Sequence, residues 1–123
     1  MKPLLPSEIQ VWYLLPVIRK ELARVLVKEE GLSQKDTARL LGVTAAAISQ
    51  YFKEKRGNDI SLDKKMIKEI RLHAKRLKEE TENANETLIK LLNHKLIYRM
   101  VCDYHKDNDP SIKKNCKLCS QVI

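Results

Sequence analysis

Between Gly57 and Pro110 the chain contains neither glycine nor proline. These two residue types are the usual interruptions of regular structure, so a run of this length favours long helices over a sheet with its frequent turns. From Val17 onward, both before this run and within it, apolar residues recur three and four positions apart, which is the period of an amphipathic helix. The spacing therefore predicts an all-α chain.

Size and charge limit the classes of protein that remain. With 123 residues, 43% of them hydrophobic and 33% charged, the chain suits one compact domain, or one small domain with an appendage. Its longest apolar stretch is the eight residues 11–18, whereas a membrane helix needs about 20, so we expect no membrane span. The first residues carry one lysine and two prolines without a small-residue cleavage site, so we expect no signal peptide and a cytoplasmic protein.

Composition also argues against several kinds of site. Aromatic residues make up only 5%, too few for a surface on which single-stranded bases stack. The three glycines, Gly31, Gly42 and Gly57, are too far apart for a loop that holds phosphates. No nucleophile has a base at suitable spacing, and no carboxylate pair stands out from the surface charge. We therefore predict that the protein is not an enzyme.

Residues 33–53 carry the most specific pattern. Two short helices that meet at a steep angle need a small residue on the first, and Ala38 provides it. The tight turn between them needs a residue that tolerates positive φ, which Gly42 does. Apolar Leu41, Val43 and Ile48 fill the wedge between the helices. This ordered set predicts a helix-turn-helix.

Helix boundaries follow from residues that cap or stop helices. A short helix starts at the capping box of Ser7 and Gln10, and a new one, with Pro16 in its first turn, stops at Gly31. A second helix is expected from Ser33 to Gly42 and a third from Thr44 to about Arg56, followed by a turn at 57–59. A fourth helix is capped by Ser61 and ends at a polar break at 79–83, after which a fifth helix follows. Residues 96–101 are rich in β-formers, and we prefer a helix there to a strand.

The third helix is the expected recognition helix, placed in the major groove of double-stranded DNA. Gln50 can bond to adenine, Ser49 to several base edges and an alanine methyl to thymine, and three consecutive alanines leave a narrow surface. Its outward positions are Thr44, Ala45, Ala46, Ser49, Gln50 and Lys53. The expected phosphate contacts are Gln34, Lys35, Arg39, Lys53, Lys55 and Arg56.

Charge favours nucleic acid over the alternative, in which these residues only coat a three-helix bundle. Lys and Arg outnumber Asp and Glu by 24 to 16, a net charge of +8. From Lys53 to Lys78, directly after the recognition helix, ten residues are basic and four acidic. A basic run beside a helix-turn-helix is typical of a DNA footprint.

A family resemblance rests on residues 15–19, 32–35, 41–44, 46–51 and 55–57 (Leu-Pro-Val-Ile-Arg, Leu-Ser-Gln-Lys, Leu-Gly-Val-Thr, Ala-Ala-Ile-Ser-Gln-Tyr and Lys-Arg-Gly). With these, the chain resembles the Cro/repressor-type (XRE-like) helix-turn-helix regulators. It is most similar to archaeal predicted regulators with a cysteine-bearing C-terminus. The resemblance implies a lambda-repressor-like bundle, DNA binding and a dimer.

All three cysteines lie in the last 22 residues. They form Cys102-x-x-His105 and Cys116-x-x-Cys119, and together these four side chains make the Cys₃His set of a structural zinc site. Thiolates also suit an iron–sulfur cluster. In a third interpretation Cys102 is a small core residue, His105 is a surface residue, and the other two cysteines are free thiols or a labile redox pair. We expect the remaining histidines, His73 and His94, to be surface residues.

The second half of the chain offers a way to dimerise. The apolar seam, as we name the residues listed here, is Ile67, Ile70, Ala74 and Leu77 with Leu88, Leu91, Leu92 and Leu96. It forms a homodimer interface, the core of an intrachain helical hairpin, or both at once in a swapped or four-helix dimer. The expected organisation is a DNA-binding domain at 1–60, a helical dimerisation region at 61–105 and a tail with a metal site at 106–123.

The sequence therefore predicts a helix-turn-helix bundle followed by two long helices and a short Cys/His tail. Its predicted function is a transcriptional regulator that binds double-stranded DNA as a homodimer, with a C-terminal site that binds metal or senses redox state. The alternative is a helix-turn-helix protein-interaction module, an antitoxin or adaptor, with a structural zinc site.

Overall fold

The computed structural model describes residues 5–53 and 61–108, and in these two ranges it contains helices and no strand. The all-α fold is therefore confirmed. The first helix, α1, covers residues 6–29; the others are α2 (Gln34–Leu41), α3 (Ala45–Phe52), α4 (Lys64–Lys78), α5 (Ala84–Leu92) and α6 (Lys95–Asn108). No helix in the described ranges has the length and apolar character needed to cross a bilayer.

The first helix differs from the sequence prediction because it runs without interruption through Pro16. It alternates α-helical segments, Pro6–Ile9 and Leu15–Arg24, with π-helical turns, Gln10–Leu14 and Val25–Glu29. In a regular α-helix the ring of Pro16 would crowd the carbonyl of Trp12. The wider turn just before the proline, where the Leu15 N–H donates to the Gln10 carbonyl, relieves this contact.

Three predicted helix boundaries are wrong by a few residues. The helix starts after Leu5, whose N–H donates to the Glu8 carboxylate at 2.9 Å, so Ser7 lies in the first turn and is not the cap. The fourth helix is capped by Asp63, not Ser61, because Asp63 Oδ1 accepts from the Met66 N–H at 2.8 Å. Helix α3 ends at Phe52, not near Arg56. The predicted turn at 57–59 lies outside the described residues.

The predicted fifth helix is two helices, α5 and α6. They separate at Asn93 and His94. The Asn93 amide donates to the Ile89 carbonyl at 2.8 Å and so terminates α5, while His94 Nδ1 accepts from the Leu96 N–H at 3.1 Å in the first turn of α6. The helical prediction for residues 96–101 is confirmed.

Helix α1 lies at the centre of the core. Its buried side chains Ile18, Leu22 and Leu26 are fully enclosed. The segment Leu15–Arg24 packs against α2, α3, α4 and α5, and Pro6–Ile9 packs against α6. Every later helix thus contacts α1, which holds the helix-turn-helix and the C-terminal helices in one cluster of buried residues.

The apolar seam is part of this intrachain core. Ile70, Ala74, Leu77 and Leu91 are buried, and Leu88, Leu92 and Leu96 are partly buried against them. Within one chain the seam therefore forms the core of a helical hairpin. The other seam residue, Ile67, is also partly buried.

His73 is not a surface residue, contrary to the sequence prediction. It is buried, and its Nδ1 lies 2.6 Å from Oε2 of Glu82, which is buried as well. Thr87 Oγ1 donates to the same carboxylate oxygen, and Lys90 Nζ donates to the other at 2.9 Å. This Glu82 cluster joins α4 to α5 across the predicted polar break. His94 is half-buried and lies 3.8 Å from Glu69.

Candidate nucleic-acid interface

The first helix of the motif, α2, begins and ends where the sequence predicts. Ser33 Oγ accepts from the Asp36 N–H at 3.0 Å, which satisfies one free backbone donor of the first turn. At the other end Gly42 has φ +67°, and two backbone bonds close the helix: Val43 N–H to Ala38 and Gly42 N–H to Arg39. This is a Schellman motif, which glycine forms without the strain of a Cβ at positive φ.

The turn leads directly into α3. Thr44 Oγ1 accepts from the Ala47 N–H at 3.1 Å and so caps the helix. Ile48 and Tyr51 are buried and pack with Ala38 and Leu41 of α2 in the common core. Because this side is buried, the opposite side of α3 is turned outward.

The outward face of α3 carries the predicted base-reading residues. Thr44, Ala45, Ala46 and Lys53 are exposed, and Ser49 and Gln50 are half-buried. Successive helix residues differ by about 100°, so positions 45, 46, 49 and 50 fall within one arc of about 140°. They form a continuous surface, which we call the α3 face.

One expectation about this face is wrong. Ala47, the third alanine of the run, is 9% exposed and packs in the core. It lies on the arc of Tyr51, four residues on, which faces the interior. Only Ala45 and Ala46 therefore contribute methyl groups to the α3 face.

Cationic side chains surround a face that is itself uncharged. No residue between Arg39 and Lys53 is charged. Gln34, Lys35 and Arg39 on α2 are exposed, as is Lys53 after α3. Arg39 Nη1 lies 3.3 Å from Glu80 Oε1, with both side chains more than half exposed, so this pair is open to solvent and to competing anions. Lys55 and Arg56 lie outside the described residues.

Part of the basic run after the motif is neutralised inside the chain. Arg71 donates to Glu29 at 3.0 Å, and Lys78 lies 3.8 Å from Glu30. Partial burial would raise the pKa of Glu29, but bonds from Arg71 and Arg24 outweigh it and lower that pKa. Besides Lys78, the exposed lysines of α4 are Lys64, Lys65, Lys68 and Lys75.

Half of the predicted metal site is described. Cys102 and His105 lie three residues apart on α6, both half-buried, and Cys102 is a free thiol. Cys116 and Cys119 lie outside the described residues. Within residues 5–53 and 61–108, no three potential ligands are grouped closely enough to hold an ion.

Sequence reasoning missed the buried carboxylate of Glu82. Three neighbouring side chains favour its ionised form. Burial raises its pKa, but hydrogen bonds from Thr87, Lys90 and His73 outweigh this and lower the pKa to about 2. The signal was present, because His73 follows Ile70 by three residues and precedes Leu77 by four, which places it on the buried side of α4.

Comparison with known proteins agrees with this geometry. Residues 20–63 match the family model described as Helix-turn-helix, from the middle of α1 to the cap of α4. No curated protein and no solved structure matches the chain. The match covers about a third of the chain, and it supports a helix-turn-helix of the Cro/repressor (XRE) type in an all-α fold. This motif is that of DNA-binding regulators, so DNA binding is the activity that the match implies for this part of the protein.

Proposed function

We propose that the protein is a transcriptional regulator that binds a specific sequence of double-stranded DNA as a homodimer. The observation that carries this proposal is the α3 face, an uncharged, outward surface of small and polar side chains on a helix capped at its start and bordered by cations. It fits the major groove, which admits one helix and presents base edges to it.

The residues of the α3 face, and Thr44 just before it, have distinct roles. The Gln50 amide donates to and accepts from adenine N7 and N6, and Ser49 bonds to a neighbouring base edge. Ala45 and Ala46 allow close approach and contact thymine methyl groups. The Thr44 hydroxyl donates a hydrogen bond to a phosphate oxygen, while its oxygen accepts one from the Ala47 N–H and so caps α3.

Phosphate contacts set the orientation of the helix in the groove. Gln34 and Lys35 occupy the first turn of α2, where backbone N–H groups and the helix dipole favour an anion. Exposed Arg39 and Lys53 add positive charge beside the α3 face, and Lys55 and Arg56 follow Lys53 in the sequence. With five cations on each subunit, log affinity falls with log salt with a slope of about −4 to −5 per bound subunit.

The experiment is selection of a binding site from random duplexes, followed by titration of the selected site. Gln50→Ala costs about 1–3 kcal/mol on that site and much less on random DNA, because the lost contact is to a base. Lys53→Ala weakens both duplexes equally and reduces the salt slope by about 1. Asn85→Ala, an exposed amide on α5, is the matched control and binds as wild type does.

Two results would overturn this proposal. One is a flat salt dependence with no selected sequence. The other is an equal loss on selected and random DNA for Gln50→Ala, since Gln50 would then not read bases. A tight complex with a protein that survives high salt, found together with the first result, would favour the interaction module instead.

We also propose that Cys102, His105, Cys116 and Cys119 hold one zinc ion. Support comes from α6, where Cys102 and His105 lie on one side of the helix, less than one turn apart. Zinc ligated by four side chains has no position for water and so plays a structural part. It would join residues 109–123 to α6 and contribute folding energy there.

A further inference from the structure

Every exposed position of α4 except one carries a positive charge. The exception is Leu72, which is 44% exposed. The single acidic residue within this helix, Glu69, is half-buried and lies 3.8 Å from His94. We call the exposed cations of this helix the α4 face: Lys64, Lys65, Lys68, Arg71, Lys75 and Lys78.

The spacing of these cations places most of them in one row along the helix. At about 100° per residue, all of them except Lys65 lie within one arc of about 80°. Helix α4 has 15 residues and is therefore about 22 Å long, and the row extends along nearly all of it. Met66, Ile70 and Leu77 on the opposite side are buried, which keeps the row at the surface.

This row is unfavourable for a helix by itself. Side chains three and four positions apart, such as Lys64 and Lys68 or Lys68 and Arg71, carry like charges and repel each other. Lys64 and Lys65 also occupy the first turn, at the positive end of the helix dipole, and that turn has no acidic residue. A bound polyanion removes both sources of repulsion, so the α4 face suits a row of phosphates.

The chain itself neutralises only part of the α4 face. Arg71 donates to Glu29 at 3.0 Å, and Lys78 lies 3.8 Å from Glu30. The other four lysines of the face form no ion pair with any residue in the ranges 5–53 and 61–108. These four cations are available to an anion from outside the chain.

The α4 face adjoins the helix-turn-helix at its C-terminal end. Lys78 reaches Glu30, which precedes Ser33, the cap of α2, by three residues. Arg39 of α2 lies 3.3 Å from Glu80, just after the end of α4. From this end the row leads away from α2 over about 22 Å, which is the axial length of about six nucleotides of one DNA strand.

We propose that the α4 face is a second DNA-binding surface, which contacts phosphates outside the groove that α3 occupies. The proposal rests on the DNA binding of the proposed function and extends it beyond the helix-turn-helix. Duplex DNA is the polyanion that fits, because its charge repeats regularly over the length of the row and the row adjoins α2. Such phosphate contacts hold the protein on DNA of any sequence and do not select the site.

The salt dependence of binding measures how many cations meet phosphates. The five cations of the helix-turn-helix region give a slope of log affinity against log salt of about −4 to −5 per subunit, and four more on α4 make it about −8. In fluorescence anisotropy titrations, Lys64→Gln/Lys68→Gln reduces this slope by about 2. At about 0.1 M salt it weakens binding about ten- to hundredfold, on selected and random duplexes alike.

Two further variants control for net charge and for folding. Lys95→Gln/Arg99→Gln removes the same charge from exposed positions of α6 and keeps the wild-type slope. Lys64→Arg/Lys68→Arg keeps the charge of α4 and also keeps the slope. Since glutamine, arginine and lysine have similar helix propensities, all three variants retain the wild-type circular dichroism spectrum.

Three results would overturn the proposal: a wild-type slope of only about −4 to −5, a slope that Lys64→Gln/Lys68→Gln does not change, and an equal reduction in the α6 control, which would reflect net charge alone. If the glutamine variant of α4 binds DNA as wild type does but no longer binds vesicles of anionic phospholipid, a membrane uses the face instead.

The same titrations separate this proposal from the proposed function. A protein that prefers its selected site but shows no effect of the α4 variant refutes only the second surface. A protein that binds random and selected duplexes equally, with the slope reduced in the α4 variant, refutes only base reading by the α3 face. A protein that binds no duplex refutes both.

Discussion

Replacement of Glu82 by glutamine tests whether the buried cluster holds α4 and α5 together. The Glu82 side chain is 2% exposed and accepts hydrogen bonds from Thr87 and Lys90, with His73 Nδ1 at 2.6 Å. Glutamine keeps the shape but loses the charge, and its amide group places a donor opposite other donors. We therefore expect Glu82→Gln to lower the free energy of unfolding.

The magnitude follows from the pKa of Glu82. It falls from 4.5 to about 2 in the folded protein. At about 1.4 kcal/mol per pKa unit, ionised Glu82 contributes about 3 kcal/mol to the free energy of unfolding. Because the folded pKa is the lower one, this contribution is complete at pH values above 4.5 and is lost as the pH falls from 4.5 towards 2.

Urea unfolding followed by circular dichroism measures the effect. At pH 7 we expect Glu82→Gln to lose about 2–3 kcal/mol, which lowers the midpoint by about 1–2 M urea. The difference from wild type should shrink as the pH falls below 4.5. Glu79→Gln, an exposed neighbour, is the matched control and changes stability by less than about 0.5 kcal/mol. A loss below that value for Glu82→Gln at pH 7, or one that does not change with pH, would refute the reasoning.

Other perturbations give equally definite expectations. Gly42→Ala should cost about 1 kcal/mol in a thermal melt, because φ is +67° while no atom lies within 4 Å of the added Cβ; a much larger loss would mean that the turn cannot keep its geometry. Ile48→Ala, at a fully buried position, should lower the stability by about 2–5 kcal/mol by the same measurement, and a loss of less than about 1 kcal/mol would contradict the packing of α3. Glu80→Gln frees Arg39 for phosphate and should raise DNA affinity about two- to fivefold in a fluorescence anisotropy titration, whereas a weaker complex would show that the pair does not compete with DNA. Elemental analysis and an absorption spectrum of anaerobically purified protein should show one zinc per chain and no colour. Iron with absorption at about 400 nm would mean that the site holds an iron–sulfur cluster, and the absence of metal would mean that the cysteines are free thiols.

The helix-turn-helix could be predicted from local sequence because each of its devices acts within a few residues. Ser33 and Thr44 cap helices through N–H groups three positions on, and Gly42 closes α2 through bonds to Ala38 and Arg39. Such short-range bonds depend little on the rest of the chain. The same reasoning predicted which side of α3 is exposed, apart from Ala47.

Long-range packing decided what the sequence left open. The apolar seam has the same spacing in a dimer and in a hairpin, and only the fold of α4 and α5 onto α1 places Ile70 and Leu91 inside one chain. The continuity of α1 through Pro16 also required the tertiary structure, since a proline in the first turn of a new helix is locally the better choice.

The amino-acid sequence alone thus determined the class of fold, the two caps and the turn of the motif, and the side chains available to read DNA. Only the tertiary structure decided that His73 and Glu82 meet in the interior, and that Val11 and Trp12 remain outside while neighbouring Ile9 and Leu14 are buried. The physical reason is that caps and turns are short-range hydrogen bonds, whereas burial depends on which helices pack together, and residues far apart in the chain set that arrangement.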